Sequence, residues 1–180
     1  MRVLALDTTT REGSAALVVD DRVVDERRGD ASRSHAERLP GELLAIVDAH
    51  GLVLSDLDLF AVASGPGSFT GLRIGIATVQ GLAFTTRRTI VTVSALEALA
   101  NIGSGAASYR DLIEGAMGAG ARVADPPAPA LAGMIARLAR ATYLAGHRPG
   151  PHAIRPIYVR RPDAVLARLA RQESTGAHAD

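Results

Sequence analysis

A continuous apolar run, Leu59 to Ala63, passes directly into Ser64-Gly65-Pro66-Gly67-Ser68-Phe69-Thr70-Gly71, and beyond it Leu72, Ile76, Val79 and Ala83 recur at helical spacing. A buried strand that turns through two glycines and a proline into a helix belongs to an α/β layer architecture. Backbone N–H groups and the positive helix end point into such a turn, so Gly65, Gly67 and Ser68 could hold an anion. The other open reading is a rigid structural turn, with Ser68 or Thr70 as helix cap and Phe69 as a buried plug. Gly71, Gly75 and Gly81 each cost the helix about 1 kcal/mol relative to alanine. A closely packed neighbour must offset that cost, and it is either the chain's own sheet or another subunit.

The remaining pattern supplies the layers. Met1 to Leu6 reads as a buried strand, Ser14 to Val19 as a second, and Arg22 to Arg28, with charges around Val23 and Val24, as a third near an edge. Ser34-His35-Ala36-Glu37 is a capping box opening a helix whose Leu39, Leu43, Leu44, Ile46 and Val47 run to His50-Gly51, with Pro40 expected to kink it or delay its regular start. Thr89 to Val93 is a fifth strand, and Ser94, with Glu97 three residues on, starts a helix through Ala100. The order β-β-β-α-β-α-β-α predicts a mixed five-stranded sheet with helices on its faces, the order of the ribonuclease-H-like half of actin-like ATPases. Beyond Ala100 the glycine- and alanine-rich chain carries little pattern until a helix from about Ala130 to Ala145, then a Pro/Gly linker at 149–151 and a short strand at Ile157-Tyr158-Val159. The division expected is a complete lobe over 1–100 and an abbreviated second lobe over 101–180.

Composition closes off several mechanisms. All 20 basic residues are arginine, and the chain has no cysteine. A lysine-ended phosphate loop, a Schiff base, a thiolate nucleophile and a sulfur-ligated zinc are therefore excluded. None of the five histidines forms an H-x-x-x-H pair, which argues against a helical metal site. Residues 131–180 hold eight arginines against three acids, a local +5, read as a solvated helix face rather than a nucleic-acid tail. The opening residues hold no export signal or membrane span, so a cytoplasmic protein with no membrane contact is expected.

Asp7-Thr8-Thr9 ends the first strand, where α/β sheets place ligand-contacting groups. The Asp7 carboxylate could hold a hydrated magnesium ion while Thr8 contacts phosphate, but taken alone the motif reads better as an Asx-turn shaping the hairpin. His35 and Glu37 point to different sides of their helix and make no acid–base pair.

Taken together, Asp7-Thr8-Thr9, Ser34-His35-Ala36-Glu37-Arg38-Leu39-Pro40, the run Ala63-Ser64-Gly65-Pro66-Gly67-Ser68-Phe69-Thr70-Gly71-Leu72-Arg73-Ile74-Gly75, Gly81-Leu82-Ala83 and Ser94-Ala95-Leu96-Glu97-Ala98-Leu99-Ala100 resemble the TsaB (YeaZ) family in order and spacing. The resemblance covers roughly residues 1–100. It implies a two-lobed member of the actin-like ATPase superfamily that binds a TsaD-type enzyme in making N6-threonylcarbamoyladenosine in tRNA. In this family the subunit is a non-catalytic scaffold, with a TsaE-type ATPase in the larger complex, tRNA contacted indirectly and a homodimer when alone. It further implies a dimer surface on the helices near 35–48 and 70–84, here His35, Leu39, Leu43, Gly71, Ile74, Gly75, Thr78 and Val79. The alternative within the superfamily is an ATP-binding or ATP-hydrolysing enzyme, taking ATP or ADP with magnesium through Asp7, Thr8, Gly65, Gly67 and Ser68. Relatives of this type carry an Asp-Ala-Arg-containing hairpin after the Ser94–Ala100 helix; here Ala100-Asn101-Ile102-Gly103 joins its flanks directly, so an incomplete second lobe is expected.

Overall fold

A computed structural model describes residues 1–102, 129–150 and 154–157. Five strands form one sheet in the order β3-β2-β1-β4-β5: β1 (Arg2–Asp7), β2 (Ser14–Val19), β3 (Arg22–Arg28), β4 (Leu59–Gly65) and β5 (Thr89–Ser94). The first three pair antiparallel, and β1–β4 and β4–β5 pair parallel. Helices α1 (His35–Ala49), α2 (Phe69–Thr86), α3 (Ala95–Ala100) and α4 (Ala132–Leu144) complete the described elements with a 3₁₀ turn at Leu54–Asp56.

Alternation along each strand divides the core between the two faces of the sheet. Leu4, Leu6, Leu17, Phe60, Val62 and Ile90 face α1 and α2, where Leu39, Leu43, Ile46, Ile76 and Val79 cover them. The opposite face presents mostly smaller side chains, among them Ala5, Ala16, Ala61 and Ala63, and α4 closes on them with Ala132, Ile135, Ala136 and Ala139. Small residues on both partners allow the helix to lie close to the sheet.

Helix α4, which follows the boundary expected at residue 100, packs on the first sheet and shares its core. Its N-terminus is capped from other elements: the Ser14 hydroxyl accepts from the Leu131 and Ala132 N–H groups, each at 3.1 Å, and the Glu26 carboxylate from Gly133 N–H at 2.8 Å. The buried stripe runs through Ala132, Ile135, Ala136 and Ala139, whereas Leu138 and Thr142 are half-buried. The hairpin expected to be missing after Ala100 concerns a region, 103–128, outside the described residues, as do Tyr158 and Val159.

Local expectations fare unevenly. Pro40 lies within α1 without ending it, since the carbonyl it cannot bond belongs to exposed Ala36. The Glu37 carboxylate accepts both the Ser34 N–H (2.8 Å) and the Ser34 hydroxyl (2.6 Å), so that hydroxyl donates to the carboxylate. Ser94 turns away from α3, donating to the Gly65 carbonyl at 3.4 Å.

Candidate functional site

The ends of β1 and β4 lie side by side in the sheet, which brings Asp7-Thr8-Thr9 against the glycine-rich turn and the first turns of α2. Asp7 is 3% exposed and Thr8 fully buried. The Asp7 carboxylate accepts the Thr9 N–H at 2.9 Å, the Asx-turn geometry. Burial pushes its carboxyl above the ordinary carboxylate range, while the Thr9 hydrogen bonds pull it back.

The turn is clamped from both sides. Ser68 N–H donates to the Thr9 carbonyl at 2.7 Å and Gly71 N–H to the Ser68 hydroxyl at 3.1 Å, making Ser68 the helix cap. On the other side Ile157 N–H donates to the Ser64 carbonyl at 2.6 Å, and Gly65, with φ +106°, leaves room for the Ile157 carbonyl 2.7 Å from where a Cβ would stand. The Gly65–Pro66 peptide is cis. Two N–H groups that an anion-holding loop would present, those of Ser68 and Gly71, are thus engaged within the chain. Phe69 is half-buried rather than a plug, with the Arg73 guanidinium 4.0 Å above its ring.

The glycine stripe of α2 receives the chain's own β1 end. A Cβ at Gly67 would overlap Thr9, one at Gly71 the Thr8 carbonyl, and one at Gly75 the Thr8 hydroxyl. That hydroxyl is buried without a hydrogen-bond partner. The notch at Gly71 and Gly75 is therefore filled internally, and those residues, with Leu39, Leu43 and Val79, lie in the core of this chain instead of on a surface. Of the residues assigned to a dimer surface, Ile74 and Thr78 remain half-exposed.

His35, assigned to the same surface, is 8% exposed and faces inward. Its Nε2 meets the Thr10 carbonyl at 3.0 Å and its Nδ1 the Arg38 guanidinium at 2.9 Å. A guanidinium only donates and a carbonyl only accepts, so the ring is neutral with its proton on Nε2. Sequence reasoning overlooked Arg38, whose side chain is 2% exposed and which also bonds the carbonyls of Arg11 and Glu12 and the Glu42 carboxylate. The available signal was position: Arg38 shares the inward stripe of His35, Leu39 and Leu43.

Burial lowers the basicity of His35 below the ordinary 6.5, and the neighbouring Arg38 charge adds to this. A histidine lowered in this way binds fewer protons folded than unfolded, so the stability it confers is complete above the ordinary value and is lost as pH falls below it. Asp7 acts in the opposite sense at more acid pH, because protonation relieves its buried charge. Thermal midpoints measured between about pH 7.5 and pH 5.5 should therefore fall with acidification, and His35→Gln should flatten that slope. Equal slopes in the two proteins would refute the assignment.

A cavity of about 330 Å³ opens beside Asp7, lined by Thr10, Arg11, Glu12, Gly13, Arg28 and the start of the α4 segment at Pro129 and Ala130. Among the described residues, no three histidine, aspartate or glutamate side chains gather as metal ligands would, and no helix is long and apolar enough to cross a membrane.

Comparison with known proteins places this architecture. The family model described as TsaD, tRNA N6-adenosine threonylcarbamoyltransferase, matches residues 28–112. The Escherichia coli tRNA threonylcarbamoyladenosine biosynthesis protein TsaB is 39% identical over 100 residues, covering 56% of this chain and 43% of that protein. The solved structure of YeaZ from Pseudomonas aeruginosa superimposes with a TM-score of 0.63 at 26% identity, over 88% of this chain and 99% of that one. Thermus thermophilus RuvC, at 11% identity and a TM-score of 0.52 over 82% of this chain and 98% of its own, shares the ribonuclease-H-like fold alone. The match spans less than half the length of the E. coli relative. The resemblance to the TsaB (YeaZ) family is borne out over the first hundred residues.

Proposed function

We propose that this chain, of TsaB (YeaZ) type over its first hundred residues, takes part in making N6-threonylcarbamoyladenosine in tRNA by binding and positioning a TsaD-type enzyme. The observation that carries this reading is the outer face of α2. From Phe69 to Thr86 the helix holds a single charged residue, Arg73, yet Ala77 and Gly81 are exposed and Ile74 and Thr78 half-exposed. The Thr78 and Thr85 hydroxyls donate to the Ile74 and Gly81 carbonyls of the same helix, at 2.8 and 2.9 Å, so they present little unmet polarity outward. Nothing lies within 4 Å of where a Gly81 Cβ would be. An uncharged, small-residue helix face of this kind suits close packing against a helix of another subunit.

The interface proposed is therefore shifted by a part-turn from the buried glycines, onto Ile74, Ala77, Thr78 and Gly81. In this reading the chain is a non-catalytic cytoplasmic scaffold that self-associates through the same face when alone. A TsaE-type ATPase joins the larger complex, and tRNA reaches the TsaD-type subunit. The internal engagement of the Ser68 and Gly71 N–H groups favours scaffold over ATPase.

Gly81→Arg tests the interface without disturbing the fold, because the site is open and arginine favours a helix over glycine. Co-expressed with the host's TsaD-type enzyme, the unaltered chain should co-elute with it, while Gly81→Arg should weaken association by about 100-fold or more through a charge buried in an apolar contact. Undiminished co-elution of a folded Gly81→Arg protein would overturn the proposal.

A further inference from the structure

The last turn of α2 carries a second feature, one turn beyond Gly81 at the end of the uncharged face. Phe84 is 83% exposed, the most exposed of the large apolar side chains described. It lines a groove of about 620 Å³ with Arg87, Arg88 and Pro149. Pro149 follows Arg148, whose guanidinium stacks 4.5 Å over the Tyr143 ring. The Phe84 ring and the exposed guanidiniums of Arg87 and Arg88 thus line a groove that the chain leaving α4 borders at Pro149, one residue beyond exposed Arg148.

None of these arginines has a carboxylate partner among the described residues. Arg88 donates to the Ser55 carbonyl at 2.7 Å, which fixes its stem and leaves its charge unneutralised. Acids at the same end of the sheet are turned elsewhere: Asp56 accepts from Val53 N–H and Asp58 from Arg2 N–H. Arg87 sits at φ 55° as the helix C-cap, so the chain reverses there and Arg87 and Arg88 stand beside Phe84 instead of continuing the helix.

We propose that this groove binds unpaired RNA, a base stacking on the Phe84 ring and the adjoining phosphates meeting Arg87, Arg88 and Arg148. An exposed aromatic face beside unpaired guanidiniums is the arrangement by which single strands are held without sequence readout. An acidic peptide would use the charges but has no need of the ring, and a double helix would hide its base faces from it. The inference rests on the tRNA-modification reading, which makes RNA the expected polyanion, and it adds a direct contact where that reading has only an indirect one.

The test uses the isolated full chain and a fluorescein-labelled oligouridine, with binding read by anisotropy across a salt series. Phe84→Ala should weaken binding about 5- to 150-fold, the usual range for one lost base stack. Arg87→Ala and Arg148→Ala should each lower the slope of log affinity against log salt by about 0.7. All three positions are exposed, and thermal midpoints within a degree or so of the unaltered chain's would show that the variants fold. Absence of oligouridine binding at low salt, unchanged affinity in Phe84→Ala, or displacement by polyglutamate as readily as by unlabelled RNA would overturn the proposal. Co-elution of the TsaD-type enzyme with Phe84→Ala, measured in parallel, separates failure of this site from failure of the scaffold reading.

Discussion

Arg38→Ala should cost the folded chain about 3–5 kcal/mol, the range for removing one partner from a buried charge network. The guanidinium donates to the Arg11 and Glu12 carbonyls, to His35 Nδ1 at 2.9 Å and to the Glu42 carboxylate at 2.6 Å. Truncation leaves those acceptors facing a void, and each buried acceptor without a donor carries its own desolvation penalty. Gly29 has adapted to this side chain, since a Cβ there would overlap the guanidinium. Arg38→Lys should recover less than half of the loss, because a single ammonium cannot span the two carbonyls, the imidazole and the carboxylate. Urea unfolding supplies the measurement: a lower midpoint at constant slope reports stability alone. A loss below about 1 kcal/mol would mean that this network does not hold α1 to the β1–β2 loop.

That network marks where the sequence stops being legible. Strands at Ser14–Val19 and Arg22–Arg28 fall where the pattern of apolar runs and turns predicts them, because a strand covered on both faces is an unbroken apolar run, an edge strand is an apolar pair among charges, and turn residues bound both. The site itself was half legible. Asp7, Thr8, Gly67 and Ser68 do converge, since the ends of parallel strands β1 and β4 are adjacent in any sheet of this order. What converges is a packed joint, a distinction that depends on the hydrogen bonds of Ser68 and Gly71 rather than on residue type. Arg38 was hidden because a charged residue near a helix start is usually solvated. The attachment of α4 to the first sheet depends on Ser14 and Glu26, more than 100 positions earlier in the chain, and no local pattern announces such a partner. Likewise, a row of glycines says that side chains are absent from one side of a helix, without saying what enters the space.

The sign of two alanine substitutions decides what enters it. On an open helix face Gly→Ala should stabilise by about 1 kcal/mol, through lower backbone entropy in the unfolded chain and better helix propensity. Gly81→Ala should do this, as nothing stands within 4 Å of the new methyl group. At Gly71 the methyl group would be driven into the Thr8 carbonyl and to 3.1 Å from the Ser68 Cβ, and at Gly75 into the Thr8 hydroxyl, with Thr8 Cγ2 at 2.9 Å. Overpacking of this kind costs about 1–3 kcal/mol, and Gly71→Ala should be the worse of the two because its obstacle is backbone, which cannot rotate away. The double variant should lose less than the sum, since both methyl groups push on Thr8 and one shift relieves both. Pairing Gly75→Ala with Thr8→Ala should recover much of the loss at 75 but little at 71, where the obstacle remains. If Gly71→Ala and Gly75→Ala instead raise the thermal midpoint of the isolated chain as Gly81→Ala does, the notch is open toward a partner, and the packing of α2 on the end of β1 is not the reason for its glycines.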